Sequence, residues 1–155
     1  MAHTDEKADS RRVIVGVDGS ESSVAALRRA AELAGALAVP LEAIMTWEYP
    51  VMLGAYYPNT TWSPEEDAEK ILARTVERAF GSDVPRQLTY RLLQGAPAPT
   101  LIAESEHASM LVLGSRGHGG FVGLMLGSVS AACTAHAHCA VLVVHAPRTP
   151  GAPAA

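Results

Sequence analysis

The stretch Met110–Ser130, MLVLGSRGHGGFVGLMLGSVS, decides how the rest of the chain is read. Met110–Leu113 is a short apolar run of the kind that forms a strand covered on both faces. It ends at Gly114, and six glycines then fall within fourteen residues, at 114, 117, 119, 120, 123 and 127. From Gly127 to about His138 the pattern becomes helical. A buried strand, a glycine-rich loop and a helix, in that order, form a repeating unit of an α/β fold, with the loop at the carboxyl end of its strand.

So many glycines need a reason. Each one costs about 0.5–1 kcal/mol in chain entropy relative to alanine, and in return lets a ligand approach the backbone. Two or three of them would read as turns. This density, between a strand end and a helix start, points instead to an anion held on main-chain amides. A phosphate chain suits the free N–H groups and partial positive charge at the start of the Gly127 helix. Ser128 and Ser130 add hydroxyl donors, Arg116 the one permanent charge, and His118 a further donor when protonated. The familiar phosphate and nucleophile motifs do not fit. No lysine lies in the stretch for a GxxxxGK[ST] loop, Val122 stands where GxGxxG needs glycine, and Gly114-Ser115-Arg116-Gly117 is not GxSxG.

Working outward, strand and helix patterns alternate along the whole chain. Arg12–Val17 reads as the first strand, followed by the turn Asp18-Gly19-Ser20 with Ser20 or Ser22 as helix N-cap. Val24, Leu27, Ala31 and Ala34 then mark an amphipathic helix with Arg28, Arg29 and Glu32 on its other side. Leu41–Trp47 is the second strand. The segment Glu48–Trp62, rich in Pro, Tyr and Trp, is long for a connection in a compact domain. Ser63 caps and Pro64 opens the next helix, acids fill its first turn, and Gly81 ends it. Arg86–Leu93 is the third strand, a shorter helix runs to about His107, and Ala140–His145 is the last strand. This order predicts an open five-stranded parallel sheet with helices on both faces, an α/β fold in three layers. Ligands of such sheets bind outside the carboxyl ends of the strands, which directs attention to Asp18, Trp47, Gly95 and Gly114 onward.

Bulk properties agree with one globular domain. The chain has 155 residues, 48% hydrophobic and 18% charged. Its net charge of -4 gives no general attraction for nucleic acid or anionic membrane, so a bound anion must be held by local groups. No apolar run approaches the roughly 18 residues of a membrane span, and the start MAHTDEKADSRR has no secretory h-region. Two cysteines without an export signal do not suggest a disulfide scaffold, and a cytoplasmic location is expected. Residues 1–10 are expected as a flexible N-terminus, 11–146 as the domain and 147–155 as a disordered Pro/Ala-rich tail.

Gly114, then Gly117, then nine residues and Gly127-Ser128, resembles the G-x2-G-x9-G-[S/T] signature of the universal stress proteins. VGVDGS after the first strand, Gly95-Ala96-Pro97 after the third, VLGSRG and HAHCAVLVV extend the resemblance over about residues 11–145. Ser109 and Ala140 depart from it, standing where an acid and a proline are frequent. The resemblance implies a Rossmann-like fold of the adenine nucleotide alpha hydrolase type, with ATP and Mg2+ as ligand. By motif position, Val17 and Asp18 would face the adenine or ribose, with backbone near Trp47 beside the base. Gly114, Arg116, Gly117 and His118 would line the ribose–phosphate side, and Gly127, Ser128, Val129 and Ser130 the outer phosphates. It also implies a homodimer through the last strand, with Val141, Val143 and Val144 at the joint.

Other constellations carry less. Asp18 alone reads as a turn residue, a reading that the resemblance reverses. Cys133, His136, His138 and Cys139 have the look of a zinc set, but Val129, Ala132, Cys133 and His136 share one helical face, and His138 and Cys139 leave the helix toward a strand, so no metal site is assigned. The function expected is a nucleotide-dependent regulatory or signalling module in stress response, with an unknown protein partner. A slow Mg-dependent ATPase or phosphotransferase, and an AMP- or cyclic-AMP-selective sensor, are the alternatives. No residue stands out as a catalytic base, and no catalytic residue is assigned.

Overall fold

Strand β1 (Val13–Gly16) is buried along its whole length, as its unbroken run VIVG requires. In this computed structural model, which describes residues 11–51, 61–117 and 126–147, β1 is the middle of a five-stranded parallel sheet. The order is β3-β2-β1-β4-β5, with β2 at Leu41–Trp47, β3 at Leu88–Gln94, β4 at Met110–Gly114 and β5 at Ala140–Val144. Val13 pairs with Leu41 on one side and Met110 on the other. The predicted α/β class and sheet are therefore the observed ones.

The helices divide between the two faces. Helix α1 (Glu21–Leu37) and helix α2 (Pro64–Phe80) cover one of them. There Leu27, Ala30, Ala34, Leu72 and Val76 pack on Val13, Val15, Leu41, Ala43 and Val112. Helix α3 (Pro97–Glu104) and helix α4 (Ser128–His136) cover the other, where Leu101 and Cys133 meet Ile14, Ile44, Leu111 and Leu113. Alternate β1 residues thus serve opposite cores, which is the period-two rule of a strand buried on both sides.

The local signals set most boundaries. Ser20 is the N-cap of α1, its side chain accepting the Ser23 N–H at 3.2 Å. Ser63 caps α2, Pro64 opens it, and the Gly81 N–H closes it on Glu77. Several ends differ from the sequence reading: β1 runs Val13–Gly16 rather than Arg12–Val17, and β3 runs one residue further, to Gln94. Strand β3 begins at Leu88 rather than Arg86, because Arg86 and Gln87 form a turn in which the Leu88 N–H reaches the Pro85 carbonyl. Helix α4 stops at His136, since Ala137 is extended and the His138 N–H is taken by Ser105 Oγ at 2.9 Å. β5 ends at Val144, one residue early. The expected flexible N-terminus, most of the Glu48–Trp62 loop and most of the tail lie outside the described residues.

Candidate functional site

Reversal of the strand order between β2-β1 and β4-β5 opens a cavity of about 560 Å³ at the carboxyl ends of β1 and β4. Its apolar side comes from Ile44, Met45, Leu101 and Leu113, all buried in the two cores. Its polar side comes from the Asp18 turn, Arg116 and the start of α4. Asp18 and Arg116 are the charged residues among its described lining.

Asp18 follows the end of β1, and its Oδ1 accepts the Ser20 N–H at 2.9 Å. The same residue lines the cavity, and its Oδ2 lies where a side chain on Gly117 would begin. The turn-residue and ligand-facing readings of Asp18 are thus compatible, since each carboxylate oxygen has its own surroundings. That approach requires that residue 117 carry no Cβ. Residue 114 can carry none for another reason: a Cβ there would sit 2.7 Å from the Ser22 backbone carbon, because α1 starts directly against the end of β4. Gly114 is therefore a packing glycine at the rim of the cavity as well as a lining residue.

The amides between β4 and α4 are not all available. The Ser115 N–H donates to Val144 O at 2.8 Å, the Gly127 N–H to Ser115 O at 2.7 Å, and the Arg116 N–H to Ser22 Oγ at 3.4 Å. The Arg116 carbonyl in turn accepts from Ser22 Oγ and Ser20 Oγ. At the start of α4 the situation differs. Gly127 provides no side-chain cap, the first intrahelical bond is Ala131 N–H to Gly127 O, and the N–H groups of Ser128, Val129 and Ser130 have no acceptor among the described residues. All three residues line the cavity.

The two serines part company here. Ser130 was expected as a hydroxyl donor to phosphate, but its side chain is buried and donates to the Gly114 carbonyl at 2.6 Å, tying α4 to β4. Ser128 is exposed, with no hydrogen bond from its hydroxyl among the described residues. Trp47 is the other departure. It does not line the cavity: its carbonyl accepts the Gly95 N–H at 2.9 Å, and its ring meets Tyr49 edge-on at 5.6 Å. Thr46 takes the place at the end of β2. Val17, Asp18, Gly114, Arg116, Gly117, Gly127, Ser128, Val129 and Ser130 surround the one cavity; His118 lies outside the described residues.

Sequence reading missed Ile44, Met45, Thr46, Leu101 and Leu113, which look like core until strand ends are aligned in register. The rule that ligands sit beyond strand carboxyl ends contained the signal, one residue off at β2. Among the described residues, no three His, Cys, Asp or Glu side chains gather as a metal cluster. Cys133 is fully buried in the second core, and burial pushes its thiol up to about 11. No helix among the described residues is long and apolar enough to cross a membrane.

The sequence profile of the universal stress protein family matches residues 10–145. A curated universal stress protein of Mycobacterium tuberculosis is 34% identical over 149 residues, covering 92% of this chain and 46% of the relative. The chain thus spans about half the length of the curated relatives it matches. Among solved structures, a universal stress protein in complex with cAMP superposes with a TM-score of 0.64 at 27% identity, over 90% of this chain and 99% of that one. UspA from Lactobacillus plantarum, at 19% identity and a TM-score of 0.69 over 86% of this chain and 97% of its own, shares the fold.

Proposed function

The chain belongs to the universal stress protein family, and from that premise we propose that it binds ATP with Mg2+ in the cavity between β1 and β4. One observation carries the reading: the leftover N–H groups of Ser128, Val129 and Ser130 border the same cavity as an apolar slot. A helix start with free donors favours phosphate, and the slot favours a flat base. Ile44, Met45 and Leu101 would hold the base, Asp18 the ribose side, and Arg116, Ser128 and the α4 amides the phosphates. Mg2+ would arrive on the phosphate oxygens of the nucleotide.

We read the protein as a binding and signalling module rather than a fast enzyme, its occupancy read by other proteins in the stress response. Among the described lining residues Asp18 is the one carboxylate, and its Oδ1 is engaged by its own turn. β5 is an edge strand with Val141, Val143 and Val144 half-buried, and pairing with a second copy there would cover it. A second reading, selective binding of cAMP, is favoured by the similar protein solved in complex with cAMP; fewer phosphates would then meet the three α4 amides.

Titration with Mg-ATP, AMP and cAMP, read by calorimetry and thermal unfolding, decides between them. At about a hundred times Kd, the preferred ligand adds roughly 2.7 kcal/mol to the native state. Mg-ATP is expected to raise the melting temperature well above AMP. Equal effects of AMP and ATP would remove the triphosphate reading, a larger effect of cAMP would establish the second, and no effect from any of the three would end both.

A further inference from the structure

Arg78 stands in the last turn of α2, a helix that contributes no lining residue to the cavity. Its guanidinium nevertheless reaches the turn that carries Asp18. Nη1 donates to the Gly19 carbonyl at 3.1 Å, and Nη2 pairs with the Glu21 carboxylate. The Gly19 carbonyl and the Ser20 N–H are the two ends of one peptide group, and that N–H is the donor to Asp18 Oδ1. A single peptide is thus held on its oxygen by Arg78 and on its nitrogen by Asp18. A cation on the carbonyl polarises the group and strengthens the N–H as a donor. Gly19 itself has φ +84, the left-handed conformation that favours glycine at this turn.

The grip is reciprocal. From α1, Arg28 Nε donates to the Ala79 carbonyl at 3.0 Å and Nη2 to the Arg78 carbonyl at 2.6 Å. Arg28 closes the end of α2 while Arg78 closes the entrance of α1. The two differ in what they touch: Arg28 meets only the helix end, whereas Arg78 meets the peptide that orients Asp18.

We propose that Arg78 is a positioning residue for the nucleotide site, setting the rotation of the Asp18 carboxylate through the Gly19–Ser20 peptide. This rests on the nucleotide reading above. It also gives the exposed face of α2 a physical route to the cavity, since a partner shifting the end of that helix moves the Arg78 guanidinium. An ordinary surface ion pair between Arg78 and Glu21 would have no such consequence, because exposed pairs contribute little.

The test compares Arg78→Met, Arg78→Lys and Glu21→Gln with the wild type, each with Asp18 native and with Asp18→Asn. Nucleotide Kd and the amide exchange rate of Ser20 are the readouts. Arg78→Met should weaken Mg-ATP binding by about fivefold and speed Ser20 exchange, and should add little once Asp18 is Asn. Arg78→Lys should restore part of both, and Glu21→Gln should leave both unchanged. The same loss of affinity in both Asp18 backgrounds, or unchanged Ser20 exchange in Arg78→Met, overturns the proposal. Failure of the wild type to bind any nucleotide would sink the nucleotide reading by itself, and with it the proposed role. The Ser20 exchange rate would still tell whether Arg78 holds the turn.

Discussion

Polar groups gather at both ends of the sheet, and the two gatherings are built on opposite principles. Toward the amino ends of β1 and β2, Arg12, Glu42, Arg91 and Glu104 form a closed set of two cations and two anions. Arg12 lies 3.1 Å from Glu42 and 3.4 Å from Glu104, and Arg91 grips Glu104 with both nitrogens at 2.7 and 3.2 Å and reaches Glu42 at 3.5 Å. The hydrogen bonds that Arg91 donates to the Glu104 carboxylate hold its guanidinium above the usual range despite the desolvation it suffers. Charge is matched within the chain. At the carboxyl ends the count does not close among the described residues: three amides at the start of α4 have no acceptor there and lie beside an apolar slot. The matched charges serve the fold, and the surplus donors are the ones to which the proposed nucleotide is assigned.

The most forceful way to break this contrast is Glu42→Ala. Glu42 is 5% exposed, and its loss leaves two arginines facing each other with one carboxylate between them. Breaking such a buried set should cost about 3 kcal/mol of stability in denaturant unfolding. Nucleotide affinity of the folded fraction should stay within about twofold. A loss of affinity matching the loss of stability would show that the two ends are one system. Ser128→Asp attacks the contrast from the other side. An acid in the first turn of a helix favours the helix by about 0.5 kcal/mol, while placing a negative charge where phosphate is proposed. Melting temperature should hold or rise slightly, and Mg-ATP affinity should fall about tenfold by calorimetry. A variant that binds as well as the wild type would move the phosphates away from α4.

The smallest expected effect sharpens what α4 does on its inner face. Cys133 has its thiol pushed from 9.0 to about 11, chiefly by burial, with Cys139 adding a lesser push. Because the native value is the raised one, its contribution to stability is complete below about pH 9 and declines as pH climbs toward 11. Unfolding free energies of wild type and Cys133→Ala should run parallel below that window, and the wild type should fall more steeply within it. Parallel curves throughout would mean that the thiol is not packed as the second core implies.

Much of this was legible in the sequence because it is written in short-range terms. The Ser63-Pro64 start and Gly81 stop of α2, the run VIVG and the glycine-rich stretch after β4 each depend on residues within a turn or a strand of one another. The resemblance to universal stress proteins rests on the same kind of local spacing, and the family is the one the chain belongs to. Trp47 illustrates the limit. It stands at the end of β2 as read, but Thr46 is the residue there that lines the cavity, while the Trp47 carbonyl accepts the Gly95 N–H and its ring meets Tyr49.

By itself, then, the sequence determined the alternation of strand and helix and the parallel sheet, and it singled out the loop to which an anion is assigned. These follow from periodicity, caps and glycine content, which act over a few residues. Only the tertiary structure decided which donors are engaged among the described residues that flank that loop. Ser22 meets Arg116 across 94 positions of chain, Arg78 meets Gly19 across 59, and Ser130 meets Gly114 across 16. A hydrogen-bonding group is spent or spare according to what folding brings within about 3 Å of it, and no local pattern encodes that distance.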